Sequence, residues 1–360
     1  MQIGIVGLPL SGKTTLFETL TKTHVDSNTH TKGETHQAVI RVPDKRLDAI
    51  AEIIGVKRKV YATIEVVDVG GLEKGDAKTQ QFTNNFLAKV KNNDALVLVV
   101  RLFESDYAPH PYGSIDMVRD INIFESEFII SDLSIIENRL EKVKKQLLKT
   151  PDENLKKEIP LLERCLNYLN NEIPLRDVDF TKDDFKILKG YQLLTIKPLL
   201  IALNMDESQV NNEDKFFDWL IKNKICKNTK AIAFYGKIEA ELCDLTEEET
   251  LQFMKEFGIK ESALNKLINQ AYDLLGYQSF FTFNNEEVRA WTIKKGTNAL
   301  DAAGIIHTDF YNRFIRAEIV HYMDFIKYGS ITKAKEHGAW RLEGKEYIVQ
   351  DGDILIIRHN

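Results

Sequence analysis

Apolar positions in the first hundred residues fall into short blocks separated by segments with helical spacing. The run Met1 to Val6 precedes a loop and a helix-like stretch from Thr15, and Thr63 to Val67 and Ala95 to Val100 read as further strands. The last is apolar on both faces, as a parallel strand covered by helices requires. Strand-like runs return at Pro198 to Leu203 and Ala231 to Phe234, so the sheet resumes after an interruption. Within that interruption Ile129, Leu133, Ile136, Leu140, Val143 and Leu147 step by four and three. After a break at Thr150, Pro151 and Asp152, the same steps recur at Leu155, Ile159, Leu162, Leu166, Leu169 and Ile173. Two such seams around a turn predict an antiparallel helical hairpin zipped along itself. Pro160 should kink or begin its second helix, because it has no N–H for the i−4 carbonyl.

From Tyr277 onward the pattern changes. Ser279 to Phe283, Val288 to Ile293, Ile315 to Ile319, Tyr347 to Val349 and Ile354 to Ile357 are β-prone, with one helix at Asn298 to Ala303. This predicts a small mixed module of β-grasp type. The expected organisation is an α/β domain with a mostly parallel sheet over 1–120 and 196–276, a helical coiled-coil insertion over 121–195, and the β-grasp module over 277–360.

Composition narrows the class. A chain of 360 residues exceeds one ordinary core, and 43 % hydrophobic with 28 % charged residues describes a globular protein. The net charge of -6 argues against coating nucleic acid through bulk charge, and no DNA partner is expected. No apolar run approaches the roughly 18 residues that span a bilayer, and a strand starting at Met1 leaves no room for a leader, so a cytoplasmic protein without a membrane partner is expected. Cys165, Cys226 and Cys243 are scattered, without C-x-x-C, and read as reduced thiols. The hairpin tip carries Lys142, Lys144, Lys145, Lys149, Lys156 and Lys157 against Asp152 and Glu153. That tip is either a solvated surface or an arm that meets RNA or another acidic partner.

The sharpest chemistry lies between the first strand and the first helix. Gly7, Leu8, Pro9, Leu10, Ser11, Gly12, Lys13 and Thr14 spell G-x-x-x-x-G-K-[ST], followed by Thr15. Two glycines let the backbone wrap a phosphate, and loop N–H groups with the helix N-terminus form an anion nest. Lys13 reaches the β- and γ-phosphates, and the Thr14 hydroxyl suits Mg²⁺. Asp68 to Gly71 supply D-x-x-G at a strand end, where Asp68 would hold the metal and the Gly71 N–H would meet the γ-phosphate. Leu72 follows, where a Gln would orient the attacking water, so hydrolysis should be slow or rely on another group. After Leu203 stand Asn204, Met205, Asp206 and Glu207, where guanine-specific proteins carry N-K-x-D. Glu207 is one methylene too long for the aspartate that pairs with guanine N1–H and N2, which favours ATP. A one-residue shift onto Asp206 keeps GTP as the alternative.

These residues resemble the Obg-like ATPases known as YchF, within the translation-factor-related P-loop NTPases. The resemblance runs through Gly4 to Pro9, Val42 to Asp44, Asp68 to Gly75, Leu98 to Glu104, Arg289 to Thr292, Ala302 to Phe310 and Tyr347 to Asp353. It implies a G domain, the coiled-coil insertion and a C-terminal TGS domain. It also implies ATP over GTP and association with the ribosome, either the large subunit or the whole particle, and a monomer is expected. On the same pattern Asn204 and Glu207 fall at the base site, Tyr235, Gly236 and Lys237 back the base, and His110 lies in a loop that positions water. Leu10 stands where the family has an Asn linked to potassium, so activation by that route is not expected. Lys32 to His36 depart from the switch pattern, leaving Thr31 and Thr35 both as candidates for the metal, with Thr35 preferred. Asp76 to Gln81 replace a glycine-rich switch segment. Retained Mg²⁺–nucleotide binding with weak turnover is expected, and a non-catalytic ribosome-binding module is the competing reading.

Overall fold

The computed structural model describes residues 2–21, 35–70, 82–210, 213–222, 229–243, 245–256 and 262–360. The chain forms two compact units, one of residues 1–38 and 65–267, the other of residues 39–64 and 268–360. In order come β1 (Gln2–Gly7), α1 (Lys13–Thr21), β2 (His36–Arg41), α2 (Lys45–Ile54), β3 (Arg58–Val60), β4 (Thr63–Asp68), α3 (Asn84–Lys91) and β5 (Ala95–Leu102). Next are α4 (Met117–Leu147), α5 (Glu153–Asn170), α6 (Lys182–Leu188), β6 (Leu199–Met205), α7 (Asp214–Lys222), β7 (Lys230–Phe234) and α8 (Gly236–Cys243). Then follow α9 (Glu247–Glu256), α10 (Ala263–Leu274), β8 (Tyr277–Phe283), β9 (Glu287–Lys294), α11 (Ala299–Ile306) and α12 (Thr308–Asn312). The chain closes with β10 (Phe314–His321), α13 (Tyr322–Tyr328), α14 (Ile331–Glu336), β11 (Arg341–Glu343) and β12 (Asp353–His359).

The first sheet has the order β2-β4-β1-β5-β6-β7. Strand β1 runs parallel to β4 and β5, β5 to β6, and β6 to β7. Every residue of β5 and β6 is buried, as their unbroken apolar runs require. The register sets Ile5 beside Asp68, Gly7 beside Val99 and Arg101 beside Asn204, so the carboxyl ends of these strands share one edge of the sheet. Ligands of open α/β sheets bind at that edge. Beneath it Phe82 packs edge-on against Phe86 and Phe124 at ring separations of 5.1 and 4.9 Å.

Helices α4 and α5 form the insertion. Ile129, Ile136, Leu162 and Leu169 are buried along their seam, which Leu161 and Cys165 widen, while Leu133, Leu140 and Leu166 are partly buried. Ile173 lies beyond α5 and is exposed, so the second seam ends at Leu169. Helix α5 begins after Asp152, whose carboxylate accepts from Asn154 N and Leu155 N, and continues through Pro160. The proline therefore does not begin the helix; a capped start and a strongly amphipathic face outweigh one missing N–H. Arg139 grips the buried Glu158 through two hydrogen bonds of 2.6 and 2.9 Å, and Tyr191 donates to the same carboxylate. Burial pushes that carboxyl up, but Arg139 and Tyr191 together hold it below its ordinary range.

The second unit holds a sheet of order β11-β10-β12-β8-β9-β3. Strands β8 and β9 form an antiparallel hairpin, β12 runs parallel to β8, β3 runs parallel to β9, and β10 lies antiparallel to β11 and β12. Phe280, Ile293, Ala299, Ala302, Ala303 and Leu355 fill the core on one face. Tyr347 to Val349, expected as a strand, makes only an isolated bridge from Ile348 to Asn298. Its polar groups are used elsewhere: Tyr347 O accepts from Ala299 N and Val349 N donates to Thr297 O, which secures the start of α11.

Candidate functional site

The loop from Gly7 to Gly12 connects β1 to α1 at the carboxyl edge of the first sheet. A Cβ on Gly7 would lie 2.5 Å from the Val99 carbonyl oxygen, so only glycine fits against the neighbouring strand. Gly12 takes φ +95°, and a Cβ there would lie 2.2 Å from Asn204 Nδ2. Leu10 is also left-handed at φ 62° and half exposed at the loop crest. Ser11 is buried, and its hydroxyl has no hydrogen-bond partner among the described residues.

Lys13 is buried at the start of α1 and donates from Nζ to the Leu8 carbonyl at 2.8 Å. Burial lowers its ammonium to about 8, against the opposing pull of Asp68. A triphosphate would replace that carbonyl with anionic oxygens and favour the charged form. Thr14 Oγ1 donates to Asp68 Oδ2 at 3.2 Å, and Asp68 Oδ1 accepts from Gly70 N at 3.1 Å. A hydroxyl and a carboxylate converging beside the loop are hard oxygen donors, the set Mg²⁺ takes alongside phosphate oxygens. Thr35 is exposed just before β2, and no contact joins it to Thr14 or Asp68 among the described residues. Gly71, Leu72, Thr31 and Asp76 to Gln81 lie outside the described residues.

On the far side of the loop, buried Asn204 at the end of β6 donates from Nδ2 to Ser11 O at 3.0 Å and accepts at Oδ1 from Gly236 N at 3.1 Å. One amide thus ties the phosphate loop to the start of α8. Met205, expected beside the base, is instead a core side chain. Glu207 opens a short 3₁₀ turn and pairs with Lys237 at 2.7 Å. Asp206 caps that turn, accepting from Ser208 N while Gln209 reaches back to its N–H, and the bonds from Ser208 hold its carboxyl below the ordinary range. Tyr235 is buried, with its hydroxyl on Glu213.

His110 sits in the loop before α4 with its side chain only 5 % exposed. Its Nδ1 accepts from Tyr112 N at 3.2 Å, so Nε2 carries the proton and donates to Asp120 Oδ2 at 3.0 Å. Both ring nitrogens are engaged, and Arg119 donates to the other oxygen of Asp120. Burial raises the Asp120 carboxyl despite these cationic and polar neighbours.

Two supporting residues escaped the sequence reading. Buried Arg101 donates to Leu10 O at 3.4 Å and to Phe103 O at 2.9 Å, so it props the loop from β5. A lone cation at the end of an apolar strand was the available signal. Asp120, which holds His110, lies ten positions further on in a helix and gave none.

A family profile for 50S ribosome-binding GTPases matches residues 2–159, and the YchF-GTPase_C profile, described as a protein of unknown function, matches residues 277–360. The "Ribosome-binding ATPase YchF" of Haemophilus ducreyi is 40 % identical over 99 % of this chain and 98 % of its own length. The protein of the same name from Bacillus subtilis is 39 % identical with the same coverage. The solved structure of the Schizosaccharomyces pombe YchF GTPase superposes with a TM-score of 0.87 at 32 % identity, covering 99 % of this chain and 97 % of that one.

Proposed function

The chain belongs to the YchF family, and we propose that it is an ATPase that binds Mg²⁺–ATP in the loop from Gly7 to Thr15, hydrolyses it slowly and associates with the ribosome in a nucleotide-dependent way. Lys13 grips the β- and γ-phosphates, and the loop N–H groups at Leu10 to Gly12 surround them. Thr14 and Asp68 would hold Mg²⁺, which would supply neutralisation of the charge on the phosphates. Thr35 is the candidate third protein contact to the metal, and Gly71 N–H the candidate contact to the γ-phosphate. Asn204 fixes the loop against Gly236, so that Tyr235 and Lys237 border the base.

The observation that carries the choice of ATP is the fate of the two acidic residues after β6. Asp206 is consumed in capping its own turn and Glu207 is tied to Lys237, so neither offers a free carboxylate to guanine N1–H and N2. Slow turnover follows from Leu72 in place of a water-orienting Gln and from His110 held by Asp120. Positioning water by His110 requires its release from that carboxylate. On the hairpin, Lys144, Lys145 and Lys156 pair with Glu163, Glu141 and Glu153, which leaves Lys142, Lys149 and Lys157 as the cations for a ribosomal contact. No described helix is long and apolar enough to cross a membrane. Association with the ribosome places the protein in the cytoplasm.

Phosphate release and ribosome co-sedimentation of wild type and Lys13→Ala test this reading together. Loss of the lysine is expected to slow release by about a hundredfold, the scale of removing one charge-stabilising donor, and to abolish the difference in sedimentation between ATP and ADP. Equal phosphate release from both proteins overturns the enzymatic reading and leaves a ribosome-binding module.

A further inference from the structure

Three buried side chains hold three carbonyls of the phosphate loop. Lys13 Nζ donates to Leu8 O at 2.8 Å, Arg101 Nη1 to Leu10 O at 3.4 Å, and Asn204 Nδ2 to Ser11 O at 3.0 Å. In a trans peptide the carbonyl and the N–H that follows it point in opposite directions. Holding Leu10 O on one side of the loop therefore turns the Ser11 N–H to the other, where it donates to Leu8 O at 3.3 Å. Leu8 O thus receives both the Ser11 N–H and the Lys13 ammonium. Two donors converging on one oxygen are an arrangement that a phosphate oxygen can take over.

Arg101 differs from the other two holders. It is 2 % exposed, yet it forms no ion pair among the described residues. Its hydrogen-bond partners there are Leu10 O and, at 2.9 Å, Phe103 O, and its guanidinium lies 4.4 Å over the Phe103 ring. Buried charges are normally paired, because leaving water costs more than neutral acceptors return. Burial presses the guanidinium pKa down against the charge of Glu104, but an arginine keeps its proton. The missing counter-charge is of the kind a triphosphate brings. Register explains why the cation comes from β5: Arg101 lies beside Asn204, and Leu102 beside Met205. Met205 stands where N-K-x-D has its lysine and is a core side chain, so β6 supplies no cation at this edge.

We propose that Arg101 is a positioning residue of the nucleotide site: by holding Leu10 O it aims the Ser11 N–H at the triphosphate and sets a buried positive charge behind the loop. The proposal rests on the reading of this loop as the Mg²⁺–ATP site. Leu10 takes φ 62°, a left-handed backbone that is costly for a leucine. The crest keeps that shape because a charged donor secures its carbonyl, and hydrogen bonds from charged donors are the stronger ones. Arg101 acts on the phosphates through the loop and not on the base, so it strengthens binding of ATP and GTP by the same factor.

The test is calorimetric titration of full-length wild type, Arg101→Met and Arg101→Lys with ATP and with GTP, each in the presence of Mg²⁺. Arg101→Met is expected to bind both nucleotides about tenfold more weakly, the scale of one charge-assisted hydrogen bond, with the ratio between them unchanged. Arg101→Lys keeps a charge and a donor and is expected to bind ATP at least about threefold more tightly than Arg101→Met. A merely structural loss would not be rescued by charge in this way. Melting profiles identify a misfolded variant, and Arg101→Gln, which lacks the charge, replaces Arg101→Met if that variant unfolds. The proposal is overturned if the folded uncharged variant binds ATP within threefold of wild type, if Arg101→Lys gains less than threefold over it, or if only one nucleotide is affected. A wild-type protein that binds neither nucleotide overturns the ATP-site reading itself, whereas each of the other outcomes overturns the role of Arg101 alone.

Discussion

Gly12→Ala is expected to weaken Mg²⁺–ATP binding by about a hundredfold or more while the sheet stays folded. The backbone at Gly12 is left-handed, at φ +95°, and an added Cβ would sit 2.2 Å from Asn204 Nδ2. Strain of this kind costs about 1–3 kcal/mol by itself. Relief of the clash requires Asn204 to move, which breaks its bonds to Ser11 O and Gly236 N. Leaving buried amide partners unmatched costs about 1–3 kcal/mol each. The loop would therefore give up the shape that aims its N–H groups at a phosphate. Calorimetric titration with Mg²⁺–ATP reads the effect, and circular dichroism checks the fold. An affinity within threefold of wild type would show that the contact between Gly12 and Asn204 does not govern the loop.

Asp132→Ala is expected to destabilise the first unit by about 3 kcal/mol or more. Asp132 is fully buried on α4, where Oδ1 accepts from Leu194 N at 2.8 Å. Its Oδ2 accepts from Thr195 N at 2.8 Å and Thr195 Oγ1 at 2.6 Å. The carboxylate thus pins the insertion to the segment that enters β6. Burial raises its carboxyl, against the opposing effect of these donors. Truncation strands two buried amides and a hydroxyl, each worth about 1–3 kcal/mol. For a unit of this size the melting midpoint should fall by roughly 6–12 °C. A shift under about 2 °C would mean that water replaces the carboxylate without penalty.

Much of the fold was legible because its elements obey local rules. The apolar runs at Ala95 and Pro198 became fully buried parallel strands, and the steps of four and three became the zipped pair α4 and α5. Hydrophobic period cannot show where polar groups find partners. Tyr347 to Val349 looks like a strand, yet its backbone serves the start of α11. Strand β3 is three residues long, too short for alternation to register, but Arg58 to Val60 pair with β9 in the second sheet.

The site divides in the same way. Gly7, Gly12, Lys13, Thr14 and Asp68, which the structure brings together around one loop, stood out as candidates because phosphate chemistry restricts residue type at fixed spacing. Asn204 read as a base contact, whereas its side chain clamps Ser11 to Gly236, a role that depends on three segments far apart in sequence. Met205 shares that motif but points into the core. The carboxylate on His110 and the guanidinium under Leu10 are likewise products of packing.

The most direct measurement of the central claim is a calorimetric titration of the full-length protein with ATP and with GTP in the presence of Mg²⁺. With Asp206 bound into its own turn and Glu207 on Lys237, ATP is predicted to bind at least about tenfold more tightly, a difference of roughly 1.4 kcal/mol. Tenfold tighter binding of GTP, or no heat with either nucleotide, would contradict the account.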